Sequence, residues 1–180
     1  KETCVYPVVE TIQKDHICHT VIAPAELNKN ILARARKIGL DCVKAVKGFG
    51  LYGVEMFCTK DGRILVNEMA PRPHNSGHYT IEGCVTSQFE NHVRAVLGLP
   101  LGSTEMVNPA AVMINLLGKT NGTGEVKNYK KALSDKGIHL HVYGKKSSRI
   151  GRKMGHITVT GKDAKVILNK AKAAEKKTVI

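Results

Sequence analysis

The chain contains no tryptophan, and aromatic residues make up only 4% of its 180 positions. Residues 119–180, which carry most of the positive charge, lack phenylalanine as well and offer only Tyr129 and Tyr143 as rings. Single-stranded nucleic acid is held by bases stacked on aromatic side chains along a cationic groove. A cationic segment this poor in rings argues against that use. Cysteine is sparse too: Cys4, Cys18, Cys42, Cys58 and Cys84 are odd in number and form no C-x-x-C pair. This argues against a disulfide framework or a zinc site and points to a reducing compartment, the cytoplasm. Cys18, Cys42 and Cys58 fall in segments of apolar periodicity and are expected as small core residues. No apolar run approaches the roughly 18–20 residues of a membrane-spanning helix. Neither a membrane nor a nucleic acid is expected as a partner. No Ser-His-Asp or Cys-His arrangement is evident in the order of residues.

What the chain does have is charge of one sign, unevenly placed. Of the net +13, residues 1–118 contribute only +1, from 12 Lys or Arg against 11 acids. Residues 119–180 contribute +12, from 16 against 4. Such asymmetry marks a change of domain. A linker around Gly102 to Pro109 is expected to divide a first domain, residues 1–103, from a small basic β-rich domain, residues 104–180. Lys170, Lys172, Lys176 and Lys177 read as the solvated face of a terminal helix.

Periodicity gives the elements. Val5 to Val9 and Ile17 to Ile22 read as strands joined by a short polar turn. Pro24 is expected to open a helix, with Leu27, Ile31, Ala35, Ile38, Cys42 and Val46 at helical spacing and Gly48 and Gly50 ending it. Ser87 with Glu90 forms a capping box, and Phe89, Val93, Val96 and Leu97 give the following helix an apolar face. Gly98 and Pro100 stop it. Ala110 to Leu117, His139 to Tyr143 and His156 to Thr160 read as strands. Asn128 to Ser134 and Asp163 to Lys177 read as helical. The fold class is α+β.

Two runs carry chemistry. Leu51 to Thr59 and Arg63 to Glu68 are strand-like and flank Asp61-Gly62, a strong hairpin signal that favours a two-residue turn. That register pairs Lys60 with Arg63 and sets Glu55 opposite Glu68. Cβ atoms of directly paired residues lie about 4.5–5.5 Å apart, so the two carboxylates repel unless a proton or cation lies between them. Oxygen ligands so placed suit Mg²⁺; an exposed hairpin with two unrelated acids is the alternative. Next comes Met69 to Thr80 (MAPRPHNSGHYT), whose two prolines and glycine make a loop of fixed course. Arg72, His74, Asn75, Ser76 and His78 load it with hydrogen-bond donors suited to an anion.

A second cationic concentration, Tyr143 to His156 (YGKKSSRIGRKMGH), places Lys145, Lys146, Arg149, Arg152 and Lys153 around a Gly- and Ser-containing turn. Charge gathered there, with glycines allowing close backbone approach, suits a phosphate monoester. An ordinary basic hairpin is the alternative.

GVEMF (Gly53 to Phe57), NEMAPRPHNSGHYTIEGCVTSQFE (Asn67 to Glu90), RAVLGLPLG (Arg94 to Gly102) and the YGK…GRKMGH run together resemble one family. It is the ATP-grasp 5-(carboxyamino)imidazole ribonucleotide synthases, the ATPase component of phosphoribosylaminoimidazole carboxylase in purine biosynthesis. The resemblance spans essentially the whole chain. It implies the C-terminal half of an ATP-grasp fold followed by a barrel-sandwich-like domain. It also implies ATP-dependent carboxylation of aminoimidazole ribonucleotide by bicarbonate through carboxyphosphate. On this resemblance Glu55 and Glu68 hold Mg²⁺, and Asn67 and Glu68 meet ATP. Arg72, His74 and Asn75 hold carboxyphosphate. Lys145 and Arg152 grip the ribonucleotide 5′-phosphate, and Lys153 sits nearer the carboxyphosphate or the imidazole. Family members commonly dimerise, and some relatives are fused to a carboxylase domain. They are about twice as long, so the chain is expected to be a C-terminal piece that folds at least partly but does not catalyse alone. Two other readings stay open: another ATP-grasp carboxylase or ligase, such as a biotin-dependent one, and a non-enzymatic basic module binding phosphate or nucleic acid.

Overall fold

Asp15 and His16 both adopt positive φ, 50° and 62°, the conformation of a two-residue hairpin turn whose twist matches its strands. They join β1 (Glu10–Lys14) to β2 (Ile17–Ala23) in the computed structural model, which describes residues 2–179. The expected strand at Val5–Val9 is absent: those residues have no regular structure, and the hairpin begins one residue later. Pro7 gives the reason, since proline has no N–H to donate to a ladder. β1 is exposed along its whole length and forms an edge, so its mixed sequence ETIQK carries no alternating signal.

The chain divides into two units. One comprises the segment ending at Val9 together with Pro24–Val107; the other comprises Glu10–Ala23 and the chain from Asn108 on. The β1–β2 hairpin therefore belongs with the C-terminal strands, whereas a division at residue 103 places it in the first domain. The cause is pairing: β2 runs antiparallel to β5 (Ala110–Leu117), with Val21 opposite Met113 and Ala23 opposite Ala111. β5 reads AAVMINLL, apolar except at Asn115, and such a run suits a strand buried on both faces.

In this second unit the remaining elements are β6 (Gly122–Thr123), α4 (Tyr129–Ala132), β7 (His139–Val142), β8 (Ser147–Ser148), β9 (Lys153–Gly161) and α5 (Ala164–Lys177). The main sheet is antiparallel in the order β1-β2-β5-β9-β7, and β6 pairs separately with β8. Val112, Ile114 and Leu116 of β5 and Ile157 and Val159 of β9 meet Ile167, Ala171 and Ala174 of α5 in one apolar cluster. Asp163 caps α5 by accepting from the backbone N–H groups of Lys165 and Val166. The α+β class holds. The sheet is open, with no closed barrel among the described residues.

The first unit contains α1 (Lys29–Val46), β3 (Gly53–Cys58), β4 (Ile64–Ala70), α2 (Thr80–Gly83) and α3 (Gln88–Leu97). α1 starts at Lys29, not at Pro24. Asn28 accepts from Asn30 N–H at 2.8 Å and so satisfies a donor that proline leaves untouched. The helix ends at Lys47, which takes the left-handed conformation at φ 56°. A side chain there costs energy that glycine does not. Lys47→Gly is therefore expected to stabilise the unit by about 0.5–1 kcal/mol, read as a raised denaturant midpoint at unchanged slope; a lowered midpoint would contradict it.

α3 inverts its expected orientation. Ser87 caps it as foreseen, accepting from Glu90 N–H at 3.2 Å. Yet Phe89, Val93, Val96 and Leu97 are all exposed, while Gln88 and Asn91 are buried at 2% and 3% exposure. The buried face is the one whose amides hydrogen-bond to neighbouring loops. Cys58 is exposed rather than core, Cys18 and Cys42 are half-buried, and Cys84 is the buried thiol. Among the described residues no helix is long and apolar enough to cross a membrane.

Candidate functional site

Glu55 and Glu68 do pair across β3 and β4, but by a different route from the two-residue turn. Thr59 N–H bonds Arg63 C=O at 2.9 Å, so the loop is Lys60-Asp61-Gly62, three residues with Gly62 at φ 79°. A three-residue loop ending in a left-handed glycine is a standard hairpin closure. It shifts the near strand by one, pairing Cys58 with Ile64 and Met56 with Val66. A bulge then inserts Asn67 as an extra residue, and the far strand recovers Glu55 opposite Glu68. Asn67, set out of the ladder, donates its side-chain N–H to Glu55 Oε2 at 3.5 Å.

A third group joins them. His74 offers a ring nitrogen such that it and one oxygen of each of Glu55 and Glu68 lie within 4.8 Å of one another. His74 Nε2 stands 3.4 Å from Glu55 Oε1, and its Nδ1 meets Ser76 at two atoms, the hydroxyl at 2.8 Å and the backbone N–H at 3.4 Å. Where Nδ1 accepts from both Ser76 groups, the ring proton lies on Nε2 and is directed at Glu55. His74 thus stands against one carboxylate, and the two glutamates offer the oxygen donors of the group. That donor set fits a hard divalent cation such as Mg²⁺. Gly53 makes the approach possible, because a Cβ there would meet His74 Cβ at 2.6 Å and the ring at 2.7 Å.

The loop after β4 is more regular than expected, with a 3₁₀ turn at Asn75–Gly77 followed by α2. Asn75 lies in that turn. Arg72 is exposed and donates to Pro73 C=O at 3.2 Å. The loop is fastened from below by Gln88, which sequence reasoning passed over. Gln88 Oε1 accepts from His74 N–H at 2.9 Å, and its amide nitrogen donates to His74 C=O and His78 Nδ1, both at 2.8 Å. A polar residue opening an otherwise apolar-patterned helix was the available signal. Burial pushes the Cys84 thiol up to about 11, which makes it a poor nucleophile.

The cations of the second unit also converge. Lys145, Arg152 and Lys153 lie on the segment joining β7 to β9 and on the start of β9. Lys145 Nζ donates to Lys153 C=O at 2.6 Å and sits 5.6 Å from the Tyr143 ring centre. Arg152 donates to the carbonyl and hydroxyl of Ser147 at 2.9 and 3.0 Å. Burial, then the charges of Arg152, Lys153 and Arg149, holds the Lys145 ammonium below the usual lysine range. The carboxylate pair and this cation cluster belong to different units.

Residues 1–89 match the model of the ATP-grasp domain, and residues 111–170 match that of the phosphoribosylaminoimidazole carboxylase C-terminal domain. The chain belongs to the ATP-grasp family of phosphoribosylaminoimidazole carboxylases and N5-carboxyaminoimidazole ribonucleotide synthases. It is 53% identical to the phosphoribosylaminoimidazole carboxylase of Schizosaccharomyces pombe, over 86% of this chain and 29% of that one. The N5-carboxyaminoimidazole ribonucleotide synthetase of Thermotoga maritima superposes with a TM-score of 0.87 at 52% identity, covering 97% of this chain and 47% of its own. The Aspergillus clavatus synthase, solved with ADP and 5-aminoimidazole ribonucleotide, gives 0.87 at 40% identity, covering 95% and 46%. The chain thus spans less than half the length of these relatives.

Proposed function

We propose that this chain supplies the metal-holding and substrate-phosphate-holding parts of an ATP-driven carbon–nitrogen ligase of purine biosynthesis. Its substrates would be ATP, bicarbonate and 5-aminoimidazole ribonucleotide. The observation that carries this reading is Glu55 set opposite Glu68 with His74 against the pair. Glu55 and Glu68 would hold Mg²⁺, which when bound would neutralise phosphate charge as it is transferred. A bicarbonate oxygen attacks the γ-phosphorus of ATP; the bond to the β-bridging oxygen breaks, leaving ADP and carboxyphosphate. Asn67 is placed to orient a phosphate oxygen beside Glu68. Arg72 and Asn75 are the donors for the carboxyphosphate anion, while His74, expected among them from the resemblance, is turned to Glu55. The exocyclic amine of the ribonucleotide then takes the carboxyl carbon, either from carboxyphosphate or from the CO₂ it releases; phosphate leaves and the amine loses a proton. Lys145 and Arg152 grip the ribonucleotide 5′-phosphate, and Lys153 adds charge near the reacting carboxyl. Five free cysteines are in keeping with a cytoplasmic protein, and a homodimer and a companion carboxylase domain are the proposed partners.

Isothermal titration of Mg·ADP and of 5-aminoimidazole ribonucleotide tests the assignment. Glu55→Ala/Glu68→Ala is expected to abolish the magnesium-dependent part of ADP binding and to leave the ribonucleotide isotherm in place. Nucleotide binding that ignores both magnesium and these carboxylates would favour a basic phosphate-binding module instead.

A further inference from the structure

Gln88 can be read without ambiguity, because two of its three contacts are backbone groups. A peptide N–H only donates and a peptide C=O only accepts. His74 N–H therefore fixes Oε1, and His74 C=O fixes the amide nitrogen, which leaves no freedom to flip the side chain. The same nitrogen then donates to His78 Nδ1 at 2.8 Å. A ring nitrogen that accepts carries no proton, so neutral His78 is protonated on Nε2. Its ring also stacks on Phe89 with centres 5.4 Å apart, which holds the imidazole in the plane that this hydrogen bond requires. The backbone N–H of Gln88 donates to Thr80 Oγ1 at 2.9 Å, and Thr80 Oγ1 donates to Gly77 C=O at 2.6 Å. One residue at the start of α3 thus stitches His74, His78 and, through Thr80, Gly77. It does so almost wholly buried, where a lost partner is costly.

We propose that Gln88 is the positioning residue of the anion loop, fixing the backbone at His74 and the proton of His78 on Nε2. This rests on the reading of that loop as the anion-holding element beside Glu55 and Glu68. The consequence reaches the carboxylates, since the His74 ring on that held backbone stands 3.4 Å from Glu55. Gln88 touches none of the reacting groups itself.

Gln88→Glu is the discriminating variant, because a carboxylate keeps the shape and the acceptor but cannot donate. It should drive the His78 proton to Nδ1, facing the new carboxylate. Two-bond ¹⁵N–¹H spectra of histidine-labelled protein, assigned with His78→Phe, read this directly. The wild-type chain should show Nε2–H for His78 at pH 8, and Gln88→Glu should show Nδ1–H or an imidazolium. Groups that orient metal ligands are worth about 10–100-fold in affinity, so Mn²⁺ binding followed by electron paramagnetic resonance should weaken at least tenfold. An Nδ1–H tautomer in the wild type would overturn the proposal, and needs no variant to fold. So would a shifted tautomer in Gln88→Glu with Mn²⁺ affinity unchanged. Failure of the wild type itself to bind Mn²⁺ would instead remove the metal reading, while the tautomer result still decides the role of Gln88.

Discussion

Glu68→Gln in the full-length polypeptide is expected to cut bicarbonate-dependent ADP release by on the order of 10³, yet to leave the metal-free protein as stable as before or more so. The two halves of this result have one cause. Glu55 and Glu68 are cross-strand partners with carboxylate oxygens within 4.8 Å. Like charges directly opposite on a sheet are destabilising, by roughly 0.2–1 kcal/mol. Glutamine removes that repulsion while keeping the shape, so the thermal midpoint without metal should hold or rise slightly. With nucleotide present the balance reverses, because a divalent ion clamped on phosphates contributes several kcal/mol to phosphoryl transfer and each 1.36 kcal/mol is tenfold in rate. Opposite movement of stability and activity separates a functional pair from a structural one. A fall in both together would mean that the acids serve the hairpin and not a cation.

How the pair arises shows what the sequence made legible. Glu55 facing Glu68 was readable, but through a compensation. The three-residue loop shifts the register by one, and the bulge at Asn67 shifts it back. Spacing counts residues between two positions and cannot register two errors that cancel. The terminal helix and β5 were readable because each has a local signal: Asp163 at the cap of α5, and a run in β5 that is apolar except at Asn115. α3 was misjudged because periodicity assumes that the apolar stripe is the buried one. Here Gln88 and Asn91 are buried because their amides close loops. Asn91 exchanges two hydrogen bonds with Gly102 and donates to Tyr6 Oη. Such bonds span 11 residues to Gly102 and 85 to Tyr6, distances at which single-sequence patterns say nothing. The grouping of the β1–β2 hairpin with the later strands was not legible for a related reason. Its partner β5 lies about 90 residues on, and β1 has no apolar face to announce it.

In the full-length polypeptide, Gly124→Ala is expected to raise the KM for the ribonucleotide about tenfold or more with little change in the KM for ATP, although it removes no charge. A Cβ at Gly124 would collide with Lys145 C=O, and the Gly124 N–H bonds Lys146 C=O at 3.0 Å. The methyl must therefore displace the backbone that carries Lys145 and with it the ammonium that the cluster holds. Direct removal sets the scale: Lys145→Ala or Arg152→Ala loses a charge-assisted hydrogen bond, about 1.5–3 kcal/mol, or roughly 10–150-fold in affinity. The pH dependence should carry the same signature. Lys145 is held below the ordinary lysine range by burial and by its cationic neighbours. A bound phosphate dianion favours the protonated form, so binding takes up a proton where free Lys145 is partly neutral. As pH rises through that depressed value the cation is lost, and ribonucleotide affinity should fall before pH 10.5, the pKa of an unperturbed lysine. Affinity measured from pH 7 upward checks the sign, with Lys145→Ala as the reference that should lose the early decline. If Gly124→Ala and Lys145→Ala weakened ATP as much as the ribonucleotide, the cluster would be a general anion trap and not a pocket for one phosphate.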